Sequence, residues 1–263
     1  MLELYQFELS HYCEKIRLIL DYKGLPYRKI EVTPGMGQLD LYRMSGQRQV
    51  PVLKDGSEII ADSTEIAEYL DKKYPDRPII PHDPKQRGLC LLIEQWADES
   101  IGLNARKCMI GELGHDPAFR QAFLPSSTPD LLKTVLSSVP NELFSVLELG
   151  VGLTPDALKS ATAAIKRDLA SLCFMLMEQP YLVTDHPTLA DFAVAGLSMY
   201  VKFPTGAYLD VPSGLKGKGV HGIADVGIFE PFFDWRDRLY TEFRKTTGSS
   251  NSGGSSPTSI QID

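Results

Sequence analysis

The sequence has few cysteines and no long apolar run. Its four cysteines stand far apart, without a C-x-x-C pair or the close spacing of a metal site, so they indicate neither a disulfide framework nor a metal centre. No stretch approaches the roughly 18 apolar residues of a membrane-spanning helix. No basic and apolar secretory leader follows Met1. These absences predict a protein of a reducing compartment, most simply the cytoplasm, with no metal and no membrane partner.

The sequence also has fewer basic than acidic residues. Lys and Arg number 27 against 34 Asp and Glu, which gives a formal net charge of -7 at pH 7. An acidic surface repels phosphate groups, so the sequence predicts no nucleic-acid partner. The rest of the composition, 43% hydrophobic and 23% charged over 263 residues, is that of a globular chain large enough to bury a core without disulfides.

The first 80 residues alternate short strands with helices. Amphipathic helices are predicted to begin after Ser10 and after Asp62-Ser63, because a capping residue precedes helical periodicity at both places. A linker is predicted between the second strand and the third. The four predicted strands lie at 2–7, 27–32, 50–53 and 58–61.

Beyond a proline-rich linker at 75–84, the periodic segments are mostly helical. Two stretches lack a strong period: 111–154 is expected to hold one or two short helices, and 204–227 is expected to be a long irregular loop. The Gly- and Ser-rich segment 248–263 is predicted to be a disordered tail. The predicted helices lie at 87–102, 155–178, 188–201 and 231–245.

Ser10 and Cys13 lie where the first strand turns into the first helix. The N-terminus of a helix offers unpaired N–H groups and a positive dipole end, which suit a thiolate or a carboxylate. Ser10 can therefore donate to a neighbouring sulfur, or it can serve only as an N-cap. Cys13 is either a thiol of the first turn or a buried small side chain. Arg17 is expected to be an internal ion-pair partner.

Two further segments carry polar or backbone groups suited to a peptide ligand. A proline after Val50 belongs at a strand edge or a bend, with a cis bond as one option, and it can expose the preceding backbone to an extended peptide. The alternative is a simple strand start. Ser63 and the helix N–H groups can hold a carboxylate while Asp62 accepts from an ammonium, or the pair is an ordinary cap.

Taken together, three N-terminal segments resemble the glutathione-binding domain of the cytosolic glutathione transferase superfamily: LYQFELSHYCEKIRLI at 4–19, QVPVL at 49–53 and ADSTEIAEYL at 61–70. The segment TLADFAVA at 188–195 resembles the capping box of that family's helical domain. The resemblance implies an α/β thioredoxin-like N-terminal domain over 1–80, followed by an all-α C-terminal domain over 85–247.

The resemblance also implies a site. In the family, a Ser, Tyr or Cys at the start of the first helix activates the sulfur of glutathione, the residue before a cis-proline pairs with the cysteinyl backbone, and an acidic residue with Ser binds the γ-glutamyl end. Cys13 would occupy the second position of the Cys-x-x-Cys found in thiol-transferring relatives. The positions that match, with Gln49 as a further peptide contact, are Ser10, Val50 with Pro51, and Asp62 with Ser63.

The function implied is that of a glutathione transferase, which promotes attack of the glutathione thiolate on a small electrophile, as in detoxification. Glutathione would be a co-substrate, and no other cofactor is expected. A homodimer around 64–74 and 87–102 is also implied. Two alternatives remain: a glutathione-dependent thiol or peroxide reductase that uses Cys13, and a non-catalytic binding module with this fold. The stretches 111–154 and 204–227 exceed the family's usual pattern, so the electrophile is not specified.

Overall fold

Four strands form one mixed sheet in the computed structural model, which describes residues 1–32, 37–115, 153–211 and 213–247. Strand β1 runs parallel to β2 and antiparallel to β3, and β3 is antiparallel to β4, in the spatial order β2-β1-β3-β4. The strands are β1 (Leu2–Gln6), β2 (Tyr27–Glu31), β3 (Val52–Asp55) and β4 (Glu58–Ala61).

Helices flank this sheet and account for most of the regular structure in the rest of the described chain. A π-helical segment, Ala97–Gly102, joins the fourth helix to the fifth, and single 3-10 turns occur near 199, 214 and 228. The α-helices are α1 (His11–Tyr22), α2 (Gly37–Ser45), α3 (Ser63–Lys73), α4 (Pro84–Trp96), α5 (Leu103–His115), α6 (Pro155–Met175), α7 (Leu189–Leu197) and α8 (Glu230–Phe243). The predicted fold class, an α/β thioredoxin-like unit followed by an all-α part, is confirmed.

Several predicted boundaries are corrected. The segment between β2 and β3 contains helix α2 rather than only a linker; Leu41 is its one buried residue, so its sequence shows little helical pattern. Strand β3 begins two residues later than predicted. The helix predicted at 87–102 begins instead at Pro84, where the Asp83 carboxylate caps Gln86 N at 2.9 Å, and its α-helical part ends at Trp96.

Helix α1 lies at the centre of the structure, where every one of its residues except Tyr12 is buried. It packs against α7 at Gly196, where an added Cβ would lie 2.6 Å from the backbone nitrogen of Lys15. Buried ion pairs also hold α1. Arg17 pairs with Glu14 at 2.5 Å, as the sequence predicts, and the Arg244 guanidinium, just past α8, reaches Glu14 at 3.0 Å.

The capping arrangement of α7 is present. The Asp191 carboxylate accepts from the backbone nitrogen of Thr188 at 2.8 Å and from that of Leu182 at 2.8 Å. Burial raises the pKa of Asp191 to about 6, and the hydrogen bonds from Leu182 and Thr188 oppose that rise. This side chain therefore fixes the start of the most apolar helix in the described part of the chain.

The predicted loop at 204–227 is largely irregular, with one 3-10 turn at Ser213–Leu215. The predicted tail 248–263 and most of 111–154 lie outside the described residues. The domain limits 1–80 and 85–247 stay predictions. Within the described ranges, no helix is both long enough and apolar enough to cross a bilayer.

Candidate functional site

The three segments predicted to bind a peptide lie at one end of the sheet. Strand β1 ends at Gln6, and the chain then leads into Ser10. Tyr5, the residue before that end, pairs with Val52, the first residue of β3. Val52 in turn pairs with Ala61, the last residue of β4. Since β3 runs antiparallel to both neighbours, its start meets their ends. The structure thus brings together the start of α1, the turn before β3 and the start of α3.

Ser10 is the N-cap of α1. Its backbone is extended, with φ -72° and ψ 120°, and its half-buried Oγ accepts from the Cys13 backbone nitrogen at 3.3 Å. A hydroxyl that accepts one hydrogen bond still has its own proton to donate. That proton can point toward the neighbouring Cys13 sulfur or toward a ligand, so Ser10 both caps the helix and places a hydroxyl donor at its positive end.

Cys13 has no exposed surface. Burial raises the pKa of its thiol to about 11, while the charge of Arg17 and the hydrogen bond with Ser10 act in the opposite direction. Such a thiol is protonated at neutral pH, whereas a reactive cysteine needs thiolate character and access. This environment favours the structural role of Cys13 over a redox role.

His11 was not singled out by the sequence and lies directly beside Ser10. Its ring is 3% exposed, sits against the rings of Tyr12 and Tyr200, and places Nε2 3.1 Å from the Gly102 carbonyl oxygen. Because a carbonyl only accepts, Nε2 carries the proton. Burial lowers the pKa of His11 to about 3, so the ring is neutral at pH 7 and brings no positive charge to the start of α1.

The Val50–Pro51 peptide bond is cis. Gln49 is exposed and Val50 half-buried, and both precede the first ladder residue of β3. The Gln47 side-chain amide donates to the carbonyl oxygens of Gln49 and Pro51, at 3.0 and 3.2 Å, and so fixes the turn. The backbone before Pro51 therefore lies in a turn held by Gln47 and outside the sheet ladder.

Asp62 caps α3, which begins at Ser63 rather than at Thr64 as predicted. Asp62 is exposed, has a positive φ of 77°, and accepts the Thr64 backbone nitrogen on Oδ1 at 2.8 Å. Its Oδ2 has no hydrogen-bond partner within the described ranges. Ser63 is 4% exposed and belongs to the first turn, whose N–H groups lack partners inside the helix.

A buried ionic cluster lies beneath Ser63. Lys15, fully buried on α1, places Nζ 2.5 Å from Glu94 Oε1, 3.0 Å from Asp98 Oδ1 and 3.4 Å from Ser63 Oγ. Burial raises the pKa of Asp98; Lys15 lowers it and Glu94 raises it further. The sequence placed Glu94 and Asp98 on one helix, where a spacing of four residues puts them on one face. It gave no sign that Lys15 is their partner.

These features define a class of protein: a thioredoxin-like sheet with a cis-proline before its third strand, joined to a helical half. A family model described as the N-terminal domain of glutathione S-transferase matches residues 4–78. The fold is similar to that of the crystal structure of beta-etherase LigF from Sphingobium sp. strain SYK-6, with a TM-score of 0.65 and 21% identity over 91% of this chain and 94% of that one.

Two curated relatives show how the likeness is distributed along the chain. Glutathione S-transferase U2 of Arabidopsis thaliana is 30% identical over 100 residues, which are 38% of this chain and 44% of the relative. Stringent starvation protein A homolog of Pasteurella multocida is 32% identical over 190 residues, 66% of this chain and 89% of the relative. The chain spans less than half the length of the first three curated relatives that it matches. It belongs to the glutathione S-transferase family.

Proposed function

We propose that the protein is a glutathione transferase that promotes attack of the glutathione thiolate on a small electrophile. The observation that carries the proposal is Ser10, whose hydroxyl stands at the start of α1 with a proton to donate. A sulfur placed over this helix end would meet a hydroxyl donor and the positive end of the helix dipole, both of which stabilise a negative charge. No metal or organic cofactor is part of the proposal, and glutathione is the co-substrate.

The energy required is modest. A free thiol has a pKa near 8.5, so only a few per cent is thiolate at pH 7. Lowering that pKa by two units corresponds to about 2.7 kcal/mol in favour of the thiolate. One charge-assisted hydrogen bond contributes roughly 1.5–3 kcal/mol, so the Ser10 hydroxyl and the helix end are together sufficient.

The remaining site residues are proposed to bind the peptide rather than the sulfur. The backbone of Val50 before Pro51 would pair with the cysteinyl residue of glutathione as an added strand. Gln49, exposed beside it, is a further contact. Ser63 would hold the γ-glutamyl carboxylate, and the free oxygen of Asp62 would accept from the γ-glutamyl ammonium.

A homodimer is part of the proposal. Helix α4 carries two exposed leucines three residues apart, Leu89 at 40% and Leu92 at 67% exposure, and residues at this spacing share one face of a helix. A two-fold interface places one patch against its own copy and needs only local complementarity.

A cytoplasmic location completes the proposal, because all four cysteines are free thiols.

The experiment that tests the proposal is the ultraviolet thiolate absorbance of protein-bound glutathione as a function of pH. The Ser10→Ala variant is expected to raise the pKa of the bound thiol by about one to two units, since it loses the hydroxyl donor. Cys13→Ala is the matched control, expected to leave the titration unchanged. The Ser10 mechanism is wrong if Cys13→Ala abolishes activity while Ser10→Ala does not; the reductase alternative would then replace it.

The second candidate is a module with this fold that binds without catalysis. One relative that matches over most of its own length is named a stringent starvation protein A homolog and not a transferase. Retention on immobilised glutathione, followed by a turnover assay with a general aryl halide electrophile, separates the candidates. Flow-through of the wild-type protein would remove the glutathione site itself, whereas retention without turnover would favour the binding module.

A further inference from the structure

The start of α5 lies against the first turn of α1. The His11 ring places Nε2 3.1 Å from the Gly102 carbonyl oxygen, and the Tyr12 hydroxyl donates to the Asp98 carbonyl oxygen at 3.0 Å. The approach is so close that a Cβ added at Gly102 would lie 2.7 Å from the Tyr12 hydroxyl. Since His11 and Tyr12 directly follow Ser10, the start of α5 borders the helix end at which the sulfur of glutathione is proposed to lie.

Arg106 is an exposed cation on α5, four residues after Gly102. Residues four apart share one face of a helix, and a helical side chain leans back toward the preceding turn. The Arg106 side chain therefore lies on the face that meets α1. Its charge reaches three rings there: it adds to the burial that lowers the pKa of His11, and it opposes the burial that raises the pKa values of Tyr12 and Tyr200.

The other charged groups near Tyr12 are already engaged. The carboxylates of Asp98 and Asp62 also act on the Tyr12 hydroxyl. Asp98 is paired with Lys15 at 3.0 Å, and Asp62 caps α3. Arg106, by contrast, forms no ion pair and no side-chain hydrogen bond within the described ranges. This edge of the proposed sulfur site thus carries a free guanidinium, whose planar set of donors matches the geometry of a carboxylate.

We propose that Arg106 selects the second substrate by charge: its guanidinium receives a carboxylate carried by the electrophile that the glutathione thiolate attacks. This inference rests on the proposed function and adds the substrate class to it. A thiolate repels an anionic electrophile, and so does a chain with a net charge of -7, so such a substrate needs a local cation. The half-buried ring of Tyr12, beside Arg106, offers an aromatic surface to the rest of the molecule.

The test uses two electrophiles that differ only in charge, 4-chloro-3,5-dinitrobenzoate and the neutral 4-chloro-3,5-dinitrobenzamide. With each, the thiolate sulfur forms a bond to the ring carbon that carries chlorine, and chloride leaves with the electron pair of the broken bond. The kcat/KM of the full chain at saturating glutathione is divided by the uncatalysed rate constant, which removes the difference in intrinsic reactivity. The wild type is expected to favour the benzoate about tenfold.

Three variants separate charge from structure. Arg106→Gln is expected to abolish the preference, while the kcat/KM for the benzamide and the KM for glutathione change less than about twofold. Arg106→Lys keeps the charge without the planar donors and is expected to retain part of the preference. Lys107→Gln is the matched control: it removes the same charge from another exposed residue of α5, about 100° around the helix, and is expected to leave the preference unchanged. The wild-type preference should also decrease between about 0.05 M and about 0.5 M salt, because the charge is exposed.

Titration calorimetry with reduced glutathione and with the two thioether products measures the same preference without turnover. A wild type that binds none of the three, or that binds them and turns over neither electrophile, contradicts the proposed function, and the inference fails with it. A wild type that turns over both electrophiles but binds the two products equally overturns the inference alone. So does an Arg106→Gln variant that weakens glutathione and both products alike, because Arg106 would then serve the peptide or the fold. Loss of the preference in Arg106→Gln but not in Lys107→Gln supports the inference.

Discussion

His11 gives the protein a pH-dependent stability that can be calculated from its surroundings. Its ring is buried and its pKa is lowered from 6.5 to about 3, first by burial and then by the charge of Arg106, while the hydrogen bond to Gly102 opposes the shift. In the unfolded chain the ring has its ordinary pKa near 6.5. Below that pH the unfolded state binds a proton that the folded state does not, so stability falls as the pH falls.

The size of the effect follows from the two pKa values. Between pH 7 and pH 5 the unfolded ring passes from mostly neutral to mostly protonated while the folded ring stays neutral. The linkage relation gives a loss of about 2 kcal/mol over this window for His11 alone. For a chain of this size that corresponds to roughly 4–8 °C in Tm. The stabilisation that His11 contributes is fully present above pH 6.5 and decreases as the pH falls toward the folded pKa near 3.

The assay is urea unfolding at pH 7, 6 and 5 for wild type and His11→Phe, which keeps an aromatic ring between its neighbours. The variant loses the hydrogen bond to Gly102 and should be less stable than wild type at pH 7. The difference in free energy of unfolding between the two proteins should be smaller by about 2 kcal/mol at pH 5. Asp191, whose pKa is raised to about 6, makes the folded state more stable as the pH falls through 6. Wild type and variant both contain Asp191, so its contribution cancels in the comparison. His82→Gln controls for loss of an exposed histidine. A deficit that stays constant with pH would refute the reasoning.

Three other predictions concern binding, packing and assembly. Ser63→Ala and Asp62→Ala should each raise the KM for glutathione about tenfold or more and change kcat less, because these groups are remote from the sulfur. Steady-state kinetics measures both constants, and an unchanged KM in both variants would show that these residues are not part of the site. Gly196→Ala should cost about 1–3 kcal/mol in denaturant unfolding, since its Cβ would press on the backbone of α1, whereas Gly88→Ala, with nothing within 4 Å, should cost nothing. Leu92→Glu should convert a dimer into a 29.2 kDa particle in light scattering, and a wild type already of that mass contradicts the dimer.

Local signals explain what the sequence predicts well. The cap of α1, the short connection between β3 and β4, and the proline before β3 each depend on residues a few positions apart, and the structure contains all three. The capping carboxylate Asp191 is local in the same sense, three residues from Thr188. These are the features in which a residue type limits its own backbone or that of a close neighbour.

What the sequence does not predict depends on distant partners or on weak patterns. Lys15 meets Glu94 across 79 positions, and His11 meets Gly102 across 91, so neither contact has a local sign. Helix α2 buries only Leu41 and therefore lacks the apolar stripe by which helices are found. Burial also decides the state of Cys13: the sequence left a reactive thiol and a buried small side chain both open, and the surroundings hold the thiol protonated.

The distant contacts share one consequence for how the site is built. The buried charges of α1 are balanced largely by residues beyond position 80: Lys15 by α4 and its continuation, and Asp21 by Arg244, at 2.6 Å. Removing one partner of a buried pair leaves an uncompensated charge, which is strongly destabilising. The sequence pattern thus predicts a domain boundary near residue 80. Helix α1, which Ser10 caps, is nevertheless held by contacts with residues on both sides of that boundary. The position of the proposed sulfur site therefore depends on the helical half, even where that half contributes nothing that touches the ligand.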